Sequence, residues 1–167
     1  LAGLGARVTL LGFAGADSDQ KALENLLQSA GVSCSLTGTG GLPTIAKLRI
    51  LGGNQQMLRL DTEVHGNRPA AAYDALLAGF EQALPSSNVV ILSDYAKGVL
   101  TESLCRSLIQ KARAAAIPVM VDPKSRSFDR YQGATTICPN LSELALAAGE
   151  SARDMDRVLA AGQQMVD

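Results

Sequence analysis

Apolar residues change their spacing several times along the chain, and each change predicts a different secondary-structure element. Short apolar runs typical of β-strands occur at residues 7–13, 89–92, 118–121 and 135–138. Apolar residues recur at helical spacing within residues 19–30, 69–84, 101–115, 141–148 and 151–165. This alternation is typical of an α/β domain with a mostly parallel sheet between helices. The last three strands are expected to be buried on both faces.

Three of these helices have recognisable first residues. Asp17 or Ser18 is predicted to cap the first helix, and Thr101 is predicted to cap the third. The spacing Ser151-x-x-Asp154 is similar to a capping box. We therefore expect the last helix to begin at Ser151.

A hairpin interrupts the alternation. Residues 32–61 follow a period of two, and Gly52-Gly53-Asn54 lies between two alternating runs as a turn signal. A three-residue loop places apolar side chains opposite each other, with Leu48 facing Leu58, whereas a two-residue loop would place cations opposite leucines. We therefore predict a three-residue loop, within a lid hairpin at about residues 33–61.

The predicted register puts three cations on one face of this hairpin. Lys47 and Arg49 come from the first strand, and Arg59 lies directly opposite Lys47. Two like charges in such a pair cost up to about 1 kcal/mol. A bound anion would offset that cost, and a solvated face with extended cations is the alternative. The residues themselves leave both interpretations open.

Polar side chains follow each of the last three predicted strands, in the order Asp94 and Lys97, Asp122 and Lys124, then Asn140 and Glu143. Ligands of open parallel sheets gather beyond the carboxyl ends of the strands. Carboxylates are suited to Mg²⁺, and lysines are suited to phosphate as point charges. Ordinary turn and capping chemistry is the better explanation for any one of these strand ends alone, whereas three of them at one edge favour a ligand site.

Composition excludes several other classes of function. The net charge of −1 gives no reason to expect nucleic acid or an anionic membrane as a partner. No apolar run approaches the roughly 20 residues that a membrane span needs. Three scattered cysteines fit a reducing cytosol, so we expect a cytoplasmic location. The single histidine, His65, is interpreted as exposed and inert.

Several segments together resemble the ribokinase-type (PfkB) sugar kinases, most specifically those acting on D-glycero-D-manno-heptose 7-phosphate. The segments are Gly12-x-x-Gly15-x-Asp17, TIAKLRIL, NQQMLRLD, LSDYAKGVL, VDPKSRSFDRYQGAT and PNLSE. They span most of the chain. The resemblance implies a ribokinase-like three-layer α/β sandwich, with a mostly parallel central sheet and a small β-hairpin lid.

The resemblance also implies an activity, which is ATP-dependent phosphorylation of the sugar 1-hydroxyl with Mg²⁺, a step in ADP-heptose biosynthesis. It implies that Asn140 and Glu143 form an Asn-x-x-Glu element that helps to hold Mg²⁺ and phosphate. Asp122 would lie beside the same metal, and Lys124 beside the nucleotide phosphates. On the substrate side the candidates are Lys47, Arg49, Asp94 and Lys97. A homodimer formed through the lid is expected in the full-length protein.

Two family motifs do not occur in these residues, namely the N-terminal substrate segment and the C-terminal Gly-Ala-Gly-Asp segment with its aspartate base. We therefore expect residues 1–167 to be an internal part of one kinase domain that is inactive alone. The alternatives are another ribokinase-type sugar or nucleoside kinase, and a non-catalytic sugar-phosphate-binding protein. A nicotinamide-dependent dehydrogenase is disfavoured because no Gly-x-Gly-x-x-Gly follows a strand.

Overall fold

The structure is a computed structural model that describes residues 1–63 and 68–164, without the side chain of residue 164. The interpretation of His65 therefore concerns a residue outside the described ranges. The chain divides into two compact units, Leu1–Ala83 and Leu84–Asp167. Within the described ranges, every helix is too short or too polar to cross a membrane.

The first unit contains a parallel strand pair and a separate antiparallel hairpin. Its elements are β1 (Val8–Ala14), α1 (Ser18–Ser29), β2 (Val32–Gly38), β3 (Ala46–Gly52), β4 (Gln55–Thr62) and α2 (Ala70–Ala83). β1 and β2 pair in parallel because α1 carries the chain back to the starting edge. The hairpin consists of β3 and β4 alone. It is shorter than the predicted 33–61, since β2 belongs to the parallel pair.

The second unit is a parallel three-stranded sheet with helices. Its elements are β5 (Val90–Ser93), α3 (Glu102–Ala114), β6 (Val119–Asp122), β7 (Thr136–Ile137), α4 (Leu141–Ala148) and α5 (Met155–Gln164). The strands lie in the order β5-β6-β7, and both pairs are parallel. The predicted strand–helix alternation is confirmed here. All three strands end at the same edge of the sheet.

Strands β5 and β6 bury one face each, so the prediction of burial on both faces is wrong for the described chain. Val119 and Val121 are buried, whereas Ile91 is 46% exposed and Met120 is 40% exposed. The buried residues of α3 complete the core of this unit, and they are Leu104, Cys105, Leu108, Ile109 and Ala112. An apolar run shows that a strand tolerates burial, but burial of a face also needs an element that covers it.

The predicted helix caps are mostly confirmed. Asp17 caps α1 and Thr101 caps α3, each by accepting a backbone N–H bond in the first turn. The predicted box at Ser151 is wrong, because α5 begins at Met155 and Asp154 precedes it. The Asp154 carboxylate accepts from the backbone N–H three residues later at 3.3 Å, so this residue acts as the cap itself.

Candidate functional site

The hairpin turn is tighter than the predicted three-residue loop. Gly52 pairs with Gln55, which leaves Gly53 and Asn54 as a two-residue turn, with Gly53 at a positive φ of 60°. The pairing then shifts between Ile50 and Leu51, and one extra residue of β4 is accommodated as a β-bulge. The bulge matters because a one-residue slip without it would exchange the two faces of the hairpin.

The faces of the hairpin are those predicted, although the cross-strand partners differ. On the apolar face, Leu48 lies opposite Leu60, rather than opposite Leu58. On the cationic face, Arg49 lies opposite Arg59 and Lys47 lies opposite Asp61. The like-charge pair is therefore formed by two arginines, and Lys47 has an acidic partner that the predicted register did not give it.

Two carboxylates neutralise part of the cationic face. Lys47 Nζ lies 2.9 Å from Glu63 Oε1 and 3.4 Å from Asp61 Oδ2, while Arg59 Nε lies 2.9 Å from Asp61 Oδ1. The hydrogen bond with Glu63 is the largest cause that raises the pKa of Lys47. Arg49, in contrast, takes part in none of these ion pairs among the described residues 1–63 and 68–164. Arg49 is thus the better placed of the two lid candidates for an external anion.

The second unit brings its predicted site residues to one edge of the sheet. Ser93 pairs with Asp122, and the backbone N–H of Asp94 donates to the Asp122 carbonyl at 2.9 Å. The backbone N–H of Cys138 donates to the Val121 carbonyl at 2.8 Å, so β7 ends beside β6. The loop with Lys97, the residue Lys124 and the cap Asn140 directly follow these strand ends.

Glu143 uses both carboxylate oxygens within the protein. Its Oε1 lies 2.9 Å from Lys124 Nζ, and its Oε2 accepts the backbone N–H of Asn140 at 2.9 Å. The Asn140 side chain in turn accepts the Glu143 N–H, which completes a capping box at the start of α4. The hydrogen bond from Lys124 is the largest cause that lowers the pKa of Glu143, and the same bond raises the pKa of Lys124.

Asp94 is buried and its carboxylate is held by three groups of the protein. The residue is 5% exposed, and its Oδ2 accepts the Tyr131 hydroxyl at 2.5 Å and Arg130 Nη1 at 3.4 Å. Its Oδ1 accepts the backbone N–H of Ala96 at 2.7 Å. Ala96 has a φ of 53°, a left-handed conformation that costs energy for a residue other than glycine. Asp94 therefore fixes the shape of the loop that leads to Lys97.

Sequence reasoning did not single out Tyr131 and Arg130, the partners of Asp94. Both lie in the segment VDPKSRSFDRYQGAT, more than 30 residues after Asp94, and no local spacing links them. Burial is the largest cause that raises the pKa of the Tyr131 hydroxyl, and Asp94 adds to it. Burial and the nearby Asp94 also raise the pKa of the Cys105 thiol to about 11, so this cysteine stays protonated and is not a nucleophile.

The strand-end carboxylates fit a magnesium ion that is held mainly by other ligands. In the described part of the chain, no group of three or more histidine, cysteine, aspartate or glutamate residues could hold a metal ion. Mg²⁺ in kinases commonly has one or two protein carboxylates, with water and substrate phosphates as its other ligands. Asp122 and Glu143 meet that requirement, provided that Glu143 exchanges Lys124 for the ion.

Comparisons with known proteins agree on one family. The family described as "pfkB family carbohydrate kinase" matches residues 1–167. A curated relative, the bifunctional protein HldE of Koribacter versatilis, is 52% identical over 166 residues, which are 99% of this chain and 34% of that protein. HldE of Aeromonas hydrophila is 43% identical over 169 residues, which are 99% of this chain and 34% of that protein. The chain thus spans about a third of the length of these relatives.

A solved structure shows the fold. The tetrameric inhibited form of phosphofructokinase-2 from Escherichia coli superposes with a TM-score of 0.73 at 19% identity, over 99% of this chain and 54% of that one. The predicted ribokinase-like α/β fold is confirmed, and so is the predicted class of enzyme. The chain belongs to the pfkB family of carbohydrate kinases.

Proposed function

We propose that this chain is part of a kinase that transfers phosphate from ATP to the 1-hydroxyl of D-glycero-D-manno-heptose 7-phosphate, on the route to ADP-heptose. The observation that carries the proposal is the 52% identity to an HldE protein over almost the whole chain. The three free cysteines and the need for ATP favour the cytoplasm as its location.

The strand edge of the second unit is proposed to hold the reacting phosphates. Phosphoryl transfer depends mainly on positioning and on neutralising charge. Magnesium, when bound, would supply positive charge to the phosphoryl group that moves. Asp122 and Glu143 would offer it oxygen ligands, and Lys124, once released from Glu143, would place its ammonium on a phosphate. Asn140 would present the N-terminus of α4 to the same anion.

The hairpin of the first unit is proposed to bind the phosphate of the sugar substrate. Arg49 would form a bidentate pair with the 7-phosphate, and Lys47 would add a second charge. In the second unit, Lys97 would contact the sugar, and we now assign Asp94 the task of holding the loop after β5 rather than of touching the substrate. The Gly-Ala-Gly-Asp motif does not occur in residues 1–167, so another part of the protein would supply the base.

The apolar face of the hairpin is proposed to form a homodimer contact in the full-length protein. Leu48, Ile50, Leu58 and Leu60 lie together on this face and are between 42% and 58% exposed. Exposed aliphatic patches of this kind mark contacts with other proteins. Sedimentation at several concentrations tests the dimer, and Leu48→Glu should convert it to a monomer.

The substrate assignment predicts a selective effect of Arg49→Thr in the gene's full product. Loss of a charge-assisted bidentate contact should raise KM for the 7-phosphorylated sugar about tenfold, with a smaller change in kcat. Steady-state kinetics measures both constants, and KM for ATP should stay unchanged. The matched control is Arg106→Ala, which removes an exposed arginine of α3 that belongs to no proposed site. Equal KM values for Arg49→Thr and the control would contradict the assignment.

A further inference from the structure

The connection between β2 and β3 is fastened to α1 through one threonine. Thr44 is 7% exposed and lies two residues before β3 begins. Its backbone N–H donates to Asp17 Oδ2 at 2.7 Å, and its hydroxyl donates to Asp17 Oδ1 at 2.7 Å. A single carboxylate therefore holds both donors of the residue from which the hairpin departs.

Gly15 contacts the same threonine from the other side, and we call Gly15, Asp17 and Thr44 together the clamp. Its backbone N–H donates to the Thr44 hydroxyl at 2.8 Å, so this hydroxyl both donates and accepts. A Cβ at position 15 would lie 2.6 Å from Asp17 Oδ2 and from Thr44 N, and 2.7 Å from the Leu42 carbonyl oxygen. Only glycine permits this approach. The spacing Gly15-x-Asp17 thus encodes the attachment of a segment that is 27 residues away.

The same carboxylate caps α1, because Asp17 Oδ1 also accepts the Gln20 N–H at 2.9 Å. Hydrogen bonds to a charged acceptor are stronger than those between neutral groups. The bonds from Thr44 are the largest causes that lower the pKa of Asp17, so the carboxylate is ionised at neutral pH. The helix and the hairpin connection are therefore tied to one charge.

The rest of the connection is also tightly folded. Thr39 is only 3% exposed, and its hydroxyl donates to the Leu42 carbonyl at 2.5 Å. Gly40 has a φ of 69°, and a Cβ there would lie 2.9 Å from Pro69. The hairpin consequently starts from a fixed point, and Lys47 lies three residues beyond Thr44, about 10 Å along an extended chain.

We propose that Asp17 is a positioning residue that acts through Thr44 to fix the base of the hairpin, and with it the place of Lys47 and Arg49. The clamp itself is independent of any ligand. Its effect on the substrate rests on the proposed function, in which these two cations bind the phosphate of the sugar.

Hydrogen exchange of the hairpin without sugar tests the clamp in the gene's full product. Thr44→Val removes the hydroxyl at nearly constant volume, and amides of β3 and β4 should then exchange about tenfold faster. Asp17→Asn should behave alike, because its amide keeps the oxygen that caps α1 but presents an NH2 group, in place of Oδ2, to the backbone N–H of Thr44. Thr44→Ser keeps the hydroxyl and should restore the wild-type rate.

Kinetics supplies the second measurement. Thr44→Val and Asp17→Asn should raise KM for the phosphorylated sugar about fivefold with little change in kcat, and Thr44→Ser should not. The matched control is Thr101→Val, which removes the N-cap hydroxyl of α3 and should change neither the exchange of the hairpin nor this KM.

The exchange rates and the KM values test the clamp and the phosphate assignment separately. Hairpin exchange that stays within about twofold of wild type in the folded Thr44→Val and Asp17→Asn proteins overturns the clamp. The same acceleration in Thr101→Val also overturns it, because the effect would then be general destabilisation. If Thr44→Val does not fold, Asp17→Asn carries the test alone. Faster exchange together with an unchanged KM in Arg49→Thr would keep the clamp and reject the phosphate assignment.

Discussion

At the scale of the residue, Asp94 shows how one buried carboxylate can shape a strand end. It accepts hydrogen bonds from Tyr131, Arg130 and Ala96, which come from two separate stretches of the chain. A buried charge is tolerated only when such partners compensate for its lost hydration. The same bonds hold Ala96 in its left-handed conformation and so fix the path of the loop towards Lys97.

Removal of one of these partners should destabilise the protein. Tyr131→Phe deletes the hydroxyl that donates to Asp94 and should lower the free energy of unfolding by about 1–3 kcal/mol. Urea unfolding measures the change. The control is Tyr95→Phe, because Tyr95 is 69% exposed and its loss should stay within about 0.5 kcal/mol. Equal losses in the two variants would show that Asp94 does not depend on Tyr131.

The ion pair between Glu143 and Lys124 should make the protein less stable at acidic pH. Its pKa in the folded protein is lower than the ordinary value of 4.5, chiefly because of Lys124. The stabilisation is therefore complete above the ordinary pKa and is lost as the pH falls through the folded pKa. Between about pH 6 and about pH 3, the free energy of unfolding should therefore fall less in Glu143→Gln than in the wild type, and urea unfolding at each pH measures this fall. Identical losses would contradict the Lys124 pair.

At the scale of the element, the hairpin separates what a pattern specifies from what it leaves open. Alternation correctly predicted which residues of one strand share a face, because this depends only on the period of two, whereas the match of faces between the two strands also depends on the bulge. The partners depend on the turn and on bulges, and the bulge after Ile50 moved Arg49 opposite Arg59. A pattern of polar and apolar residues carries no signal for one extra residue in a strand.

The Arg49–Arg59 pair should carry a cost that Arg49→Thr removes. Relief of the repulsion, together with the β-propensity of threonine, should raise the free energy of unfolding by about 0.2–1 kcal/mol, while KM for the sugar phosphate rises. A rise in stability together with a rise in KM would identify a residue kept for binding. Thermal unfolding and kinetics of the same preparation provide both values, and a loss of stability would contradict the predicted repulsion.

At the scale of the whole molecule, the strand–helix alternation and the shared strand edge could be predicted from sequence, because both follow from local periodicity and parallel topology. Contacts between distant segments could not, and these include Thr44 with Asp17 and Tyr131 with Asp94. The pairing of Lys124 with Glu143 was missed for the same reason, since the lysine and the carboxylate belong to different strand ends. Such contacts depend on the three-dimensional path of the chain rather than on spacing.

We propose that the protein containing this chain phosphorylates a heptose phosphate at its 1-hydroxyl. Phosphorus NMR of the gene's full product with ATP, Mg²⁺ and D-glycero-D-manno-heptose 7-phosphate tests it directly, with fructose 6-phosphate as the competitor. We expect a new anomeric phosphate signal from the heptose and none from the hexose. Phosphorylation of the hexose alone would contradict the heptose assignment, and no phosphorylation by a protein that binds both sugars would favour a non-catalytic binding protein.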